Sequence, residues 1–165
     1  MRTALDAPET LLDEQEKSFV ANIRKHGWFK TGVLGEGAFP NFSYSTGLWK
    51  TIGFPELITF SVKDENAHQT FWNIFNDVKG GRHLKVGERI GDILNDLDIV
   101  LLPVDKRYYE KHLGWSRWFY GGDEFPCLQL IWPDRANLFP WDAGFDTGFA
   151  TKQTDLTEGG WRLTS

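Results

Sequence analysis

The segment Gln129–Trp141 constrains the fold of this chain more than any other stretch. Its apolar beginning predicts a strand that stops at Pro133, and Asp134, Arg135 and further aromatic residues around Pro140 follow. Proline fixes φ and removes a backbone donor, so the two prolines stiffen the exit from the strand. A stiff corner of this kind either holds a few polar groups against aromatic walls, as a binding site does, or closes the core.

The composition is that of a soluble globular protein of one-domain size. The chain has 165 residues, of which 41% are hydrophobic and 25% charged, and this is enough to bury a core. Eight Trp, thirteen Phe and four Tyr make rings a large part of the core or of a binding surface. We expect one domain over residues 11–155, a flexible lead-in at 1–10 and an irregular tail at 156–165.

Charge and cysteine content exclude several classes of protein. Eighteen Lys and Arg against 23 Asp and Glu give a net charge of −5, without the basic patch that nucleic-acid binding uses. Cys127 is the only cysteine, so no intramolecular disulfide forms, and a buried apolar role is expected for it. The N-terminal residues lack a signal-peptide core, and no apolar run reaches the roughly 20 residues of a membrane-spanning helix. These features predict a cytoplasmic protein that binds neither nucleic acid nor membranes.

Hydrophobic periodicity predicts an α+β fold. Helical spacing runs from residue 11 to Gly27 and from Asp64 to Gly80, and a short helix is expected at 106–113. Residues 115–120 are ambiguous. Strands are predicted at 28–34, 42–49, 55–62, 98–104 and 125–132, the first two forming a hairpin. The expected architecture is a single α+β domain with a mainly antiparallel sheet packed with about two main helices.

The predicted second strand carries a row of hydroxyl side chains. Alternation places Ser43, Ser45 and Gly47 on one face and Tyr44 and Thr46 on the other. Small hydroxyls beside a glycine let a ligand approach the backbone closely. The alternative is that Gly47 permits a bulge and the hydroxyls face water.

His26 is the best placed of the four histidines, because a chain turn follows it and Trp28 lies beside it. Its imidazole would serve as a base, a proton donor or a ligand contact, or would satisfy the last carbonyls of a helix that ends at Gly27. No His, Cys or carboxylate pair has metal-site spacing, and nucleophile and phosphate motifs are missing. We therefore expect no metal and no cofactor. Without a catalytic motif an enzyme is not favoured, and His26 and Asp134 are the catalytic candidates if a reaction occurs.

Arg135 is the residue of the corner best suited to bind an anionic ligand. A guanidinium makes bidentate contacts to carboxylate or phosphate groups, although an exposed ion pair of little energetic worth is the alternative. Asp134 and Arg135 are adjacent on an extended chain and therefore need not pair with each other. The candidate ligand-binding residues are His26, Trp28, Tyr44, Ser45, Gln129, Trp132, Asp134, Arg135 and Trp141.

Several short motifs occur in an order that resembles a known bacterial family. They are His26-Gly27-Trp28, the run 42–48, the run 55–57, Gly80-Gly81, Phe119-Tyr120, the run 129–134 and Phe139-Pro140-Trp141. This order, from about residue 23 to about residue 155, resembles the bacterial family called domain of unknown function 4262. Its members commonly have Thr and Ile where this chain has Ser45 and Thr46, and often a glycine where it has Ala136-Asn137. The resemblance implies one compact bacterial domain and no particular activity.

Three functional hypotheses follow from these residues. The first is a small polar or anionic ligand in an aromatic-lined pocket formed by the turn after His26, the strand at 44–47 and the corner at 132–141, held by Arg135 and Gln129. The second is a protein–protein interaction module, such as an inhibitor or immunity-type partner, that uses exposed aromatic residues as hot spots. The third, ranked last because no nucleophile is recognisable, is a hydrolase or transferase with His26 as the base and Asp134 orienting it.

Overall fold

A five-stranded mixed sheet organises the fold in the computed structural model, which describes residues 1–161. The strands are β1 (Phe29–Val33), β2 (Phe42–Thr46), β3 (Glu56–Phe60), β4 (Val100–Pro103) and β5 (Cys127–Ile131). Their spatial order is β1-β2-β3-β5-β4. The hairpin predicted for β1 and β2 is confirmed, with Phe29 opposite Thr46.

The α+β class is confirmed, but the sheet is not antiparallel throughout. Three neighbouring pairs are antiparallel, whereas β3 and β5 run parallel, with Glu56 opposite Cys127. The chain leaves β3, forms a helix and a long loop, pairs β4 at the far edge and then returns as β5 between β4 and β3. Both central strands are buried along their whole length, as is common for parallel strands. A continuous apolar run does not reveal the direction of its neighbour, so the sequence could not predict the parallel pair.

Two long helices and three short ones accompany the sheet. They are α1 (Glu14–His26), α2 (Leu48–Ile52), α3 (Asp64–Lys79), α4 (Tyr109–His112) and α5 (Gly114–Tyr120). An Asp13–Glu16 capping box starts α1, and Gly27, at φ 90°, ends it. The two main helices are therefore where periodicity placed them, although α1 begins three residues later than expected. None of the helices in the described part of the chain has both the length and the apolar character needed to cross a membrane.

The helices cover both faces of the sheet and help to form the two larger of three hydrophobic clusters among the described residues. On one face, α1 and α5 pack a ring-rich cluster in which Phe19 stacks on Trp115 at 4.5 Å between ring centroids. On the other face, α3 packs Phe71, Ile74 and Phe75 against apolar residues of β3, β4 and β5. The sheet is thus sandwiched, and a cleft between α3 and the ends of the central strands is bounded by both sheet and helix.

Both ends of the described chain pack against the domain. Residues 1–10, predicted as a flexible lead-in, contribute to two 3-10 turns, Ala4–Asp6 and Glu9–Leu11, and Arg24 donates a hydrogen bond to the Leu5 carbonyl. The predicted irregular tail at 156–165 begins with Leu156 and Thr157, which are both buried. Its last four residues, 162–165, lie outside the described residues.

Candidate functional site

The predicted site residues do not line one cavity. His26 is exposed at the end of α1 and shares a cavity with the buried Trp28. Trp132 lines a different cleft, at the ends of β3 and β5. Tyr44 and Ser45 are buried inside the fold. The convergence expected from the sequence is therefore not present, and each group has to be considered where it lies.

The polar atoms of Tyr44 and Ser45 are used inside the protein. The Tyr44 hydroxyl accepts a hydrogen bond from the Trp115 backbone N–H at 2.9 Å, and burial raises the pKa of Tyr44. The Ser45 hydroxyl donates to Glu56 Oε1 at 2.7 Å and accepts from the Leu57 N–H at 2.9 Å. Both side chains hold neighbouring elements together, and the row of hydroxyls does not face water.

Gln129 connects β5 to the C-terminal segment. Its Nε2 donates to the Thr154 carbonyl at 2.7 Å, and its Oε1 accepts from the Leu156 N–H at 3.0 Å. The side chain is completely buried. Gln129 therefore holds the segment around 154–156 against the sheet.

Asp134 is buried and organises the corner after β5. Its carboxylate accepts hydrogen bonds from the backbone N–H groups of Ala136, Leu138 and Asp146, at 2.8 to 2.9 Å. Burial raises the pKa of Asp134, but these three donors outweigh that effect and hold the pKa below its usual value. The neighbouring Arg135 is exposed.

We expect Asp134→Ala to destabilise the protein by about 1–3 kcal/mol, because it leaves three backbone donors of the corner without their acceptor. Urea denaturation at neutral pH measures this loss. The adjacent Arg135→Ala is the matched control and should change the free energy of unfolding by less than about 0.5 kcal/mol. Equal losses for the two variants would contradict the role given to Asp134.

Arg89 is the arginine that stabilises the corner. Its guanidinium donates to Asp142 Oδ2 at 2.8 Å and to the Asn137 carbonyl at 2.8 Å, and it lies 4.7 Å from the centre of the Phe139 ring. It also contacts Asp98 at 3.3 Å. Sequence reasoning missed Arg89 because its partners in the corner lie about 50 positions away and no local motif surrounds it.

A cleft of about 460 Å³ lies at the carboxyl ends of β3 and β5. Thr59 and Val62 line it from β3 and its exit, and Leu130, Trp132 and Pro133 line it from β5. Because the two strands are parallel neighbours, their carboxyl ends open at the same edge of the sheet. Ligands of open sheets with parallel strands bind in this kind of crevice.

The indole of Trp132 is fixed across the ends of both strands. Its Nε1 donates to the Phe60 carbonyl at the end of β3, at 2.8 Å. Its own backbone exchanges two hydrogen bonds with the Gln153 carboxamide, at 2.9 and 3.0 Å. The half-buried ring is therefore a preorganised wall of the cleft.

Helix α3 supplies the polar wall of the cleft. Asn66, Gln69, Thr70 and Asn73 line it and follow the spacing i, i+3, i+4, i+7, which places them on one flank of the helix. Gln69 Nε2 donates to Asn73 Oδ1 at 2.9 Å, so these two carboxamides are already oriented. Asn95 adds a further carboxamide from the opposite loop.

The loop that carries Asn95 is attached to the corner after β5. The Asp98 N–H donates to Asn137 Oδ1 at 2.9 Å, and Asn137 Nδ2 donates to Asp98 Oδ2 at 3.0 Å. Ile93 and Leu97 of the same loop also line the cleft. The corner at 129–141 therefore supports the cleft from behind, and among its residues only Leu130, Trp132 and Pro133 form part of the lining.

Backbone strain is concentrated around the cleft. Among the described residues, the non-glycine positions with positive φ are Ser61 (55°), Asp92 (64°), Asp96 (50°) and Asn137 (63°). Ser61 precedes a lining residue, Asp92 and Asp96 flank the lining loop, and Asn137 pairs with that loop. Such conformations cost about 1–3 kcal/mol each and gather at functional sites.

A second polar centre is the buried carboxylate of Glu56, at the start of β3. The side chain is 0% exposed. Its two oxygens accept hydrogen bonds from Ser45 Oγ, Gly47 N, Leu48 N, Trp49 N and the Tyr120 hydroxyl. Burial raises the pKa of Glu56 to about 6, and these donors oppose that rise. Sequence reasoning missed this centre because its donors come from separate elements.

The other nucleophilic and metal-binding groups form no centre in the described part of the chain. Cys127 is buried, and burial raises the pKa of its thiol, so the thiolate is disfavoured. Within residues 1–161, His, Cys, Asp and Glu side chains do not form a group of three or more that is arranged to hold a metal ion.

The fold and the cleft define an α+β protein built on a mixed five-stranded sheet, with a crevice at the ends of its parallel pair. A family model described as a domain of unknown function (DUF4262) matches residues 22–146, from within α1 to just beyond the corner. The chain belongs to the DUF4262 family, as its motifs predicted. No curated protein and no solved structure matches the chain.

Proposed function

We propose that this protein binds a small uncharged polar molecule in the cleft at the carboxyl ends of β3 and β5. One observation carries the proposal: a fixed indole, Trp132, faces a wall of carboxamides in a cleft of ligand-binding size. An aromatic wall with a few oriented polar groups is the usual composition of a small-molecule site.

The chemistry of the lining favours a neutral ligand over an anionic one. Carboxamides both donate and accept hydrogen bonds, and Asn66, Gln69, Asn73 and Asn95 provide four of them. No charged side chain is among the described residues that line the cleft. A charged ligand would lose hydration there without gaining a counter-charge. Arg135, the anion-binding candidate of the sequence, is not a lining residue.

The expected ligands carry hydroxyl or amide groups on one side and an apolar face on the other. Monosaccharides, polyols and nucleosides have this character, because their ring faces pack on an indole while their edges bond to carboxamides.

The protein–protein interaction module stays a prediction from the sequence. A pull-down would test it, because a specific partner should bind the wild type and be lost with Phe39→Ser. Phe39 is a strongly exposed aromatic in the β1–β2 turn.

A screen of neutral monosaccharides, polyols and nucleosides by thermal shift, followed by calorimetry, tests the cleft. We expect at least one member to bind, and Gln69→Ala to weaken it by about tenfold, the value of one good hydrogen bond. Asn76→Ala is the matched control, because Asn76 is an exposed carboxamide of the same helix that does not line the cleft. A screen without binders, or equal effects of the two variants, would reject the proposal.

A further inference from the structure

We propose a second binding site, for a flat heteroaromatic molecule, in a cavity on the opposite flank of α3. The cavity has a volume of about 330 Å³ and lies between α3 and the end of α1. Its lining consists of Asn22, His26, Trp28, Phe29, His68 and Trp72. Five of these six side chains are rings, so the cavity offers mainly aromatic faces. It shares no lining residue with the cleft at β3 and β5.

Two helices position the lining residues by simple periodicity. His68 and Trp72 are four residues apart on α3, and Asn22 and His26 are four residues apart on α1, so each pair lies on one helix face. Trp28, just after the α1 C-cap, lies between the two pairs. The site is therefore built on rigid elements.

Trp28 carries a buried donor without a partner. The side chain is 3% exposed, and its Nε1–H has no hydrogen-bond partner among the described residues. Buried indole N–H groups usually have a partner, so this one requires an explanation. Because an indole N–H lies in the plane of its ring, a ligand stacked on the indole face does not satisfy it, and such a ligand is recognised through the ring face.

The imidazole of His68 shows what kind of ring fits against Trp28. It stacks on the indole with 5.2 Å between ring centroids and 28° between ring planes. His68 is exposed, so its side chain can rotate into solvent without leaving a buried void. We infer that a ligand ring takes the place of this imidazole on the indole face, while Trp72, which is 42% exposed, forms the outer wall.

The ligand class follows from the stacked pair. Stacking on an indole requires a flat π system, and the imidazole of His68 shows that a nitrogen heterocycle occupies this position. A nucleobase has this character. A saturated ring of the same size does not, because it cannot stack.

Adenine is the probe for the test, with cyclohexanecarboxamide as the non-aromatic control, and both are titrated by calorimetry and saturation-transfer NMR. We expect adenine to bind and the control not to bind. Trp72→Ala should weaken adenine at least fivefold. His68→Ala should strengthen it severalfold, because the competing imidazole is gone. Phe39→Ala, which removes another exposed aromatic that does not line the cavity, should change nothing.

Gln69→Ala separates this site from the cleft. Adenine affinity that falls with Gln69→Ala and not with Trp72→Ala would place adenine in the cleft and overturn the second site. No adenine binding would overturn it as well, as would a loss of affinity on His68→Ala equal to that on Trp72→Ala.

Discussion

Glu56→Gln is expected to destabilise the protein by about 1–3 kcal/mol at pH 7.5, because it leaves a buried donor of a hydrogen-bonded network without its acceptor. The wild-type carboxylate has acceptors only, and every partner around it is a donor. A glutamine keeps one acceptor oxygen and turns an NH₂ group toward donors, so at least one backbone N–H, that of Leu48, would face another donor. Since whole domains have about 5–15 kcal/mol of stability, this one substitution removes a measurable share of it.

Urea denaturation of both proteins at pH 7.5 measures the effect. Glu124→Gln is the matched control, because Glu124 is an exposed glutamate, and it should change the free energy of unfolding by less than about 0.5 kcal/mol. A Glu56→Gln variant as stable as the wild type would show that the carboxylate charge is not needed by its donors.

The pH dependence of this difference has a definite sign. Burial raises the pKa of Glu56 from 4.5 to about 6, so the folded state binds this proton more tightly than the unfolded state. Protonation of Glu56 therefore contributes fully to the stability of the folded state below pH 4.5, and this contribution is lost as the pH rises through 6. Glutamine does not titrate, so the advantage of the wild type over Glu56→Gln should be larger at pH 4.5 than at pH 7.5, by about 2 kcal/mol. An advantage that grows with rising pH would contradict the direction of the shift.

The sequence predicted the parts of the fold that depend on local periodicity. Helices α1 and α3 show repeated apolar spacing over 13 and 16 residues, and glycines follow both. The β1–β2 hairpin joins strands close in sequence. Helix α2 has only five residues, too few for a period to show, and the strand predicted at 42–49 overlaps its start. The parallel pairing of β3 and β5 depends on a crossover of more than 60 residues, which no local pattern records.

The candidate site was predicted less well, for a related reason. Trp132 does line the cleft, yet its other walls come from α3 and the loop around Asn95, which showed no distinctive motif. Asp134 and Gln129 looked like ligand contacts because polar residues stood beside aromatic ones. Their side chains instead bond to backbone groups up to 27 positions away. Sequence spacing indicates which residues share a strand or helix. It does not indicate which buried groups form hydrogen bonds with their side chains.

Gly47→Ala is the second substitution expected to have a large effect, about 3–4 kcal/mol. Gly47 has φ 109°, and an added Cβ would lie 2.7 Å from the Gly27 carbonyl oxygen and 3.0 Å from Trp28 Cα. The left-handed backbone alone costs a side chain about 1–2 kcal/mol, and the forced movement of packed backbone adds a similar amount. The melting temperature should fall by about 10 °C.

Gly53→Ala separates the two causes, because Gly53 follows the same helix, α2, with φ 67° but has no atom within 4 Å of an added Cβ. It therefore carries the backbone cost without the collision, and its melting temperature should fall by only about 3–5 °C. Equal losses for the two variants would mean that the approach of Gly47 to Gly27 and Trp28 is not what requires glycine. If Gly47→Ala is the more damaging, the close contact between the Glu56 network and the Gly27–Trp28 turn is necessary for the fold. Trp28, the floor of the proposed aromatic site, would then depend on a glycine 19 positions further along the chain.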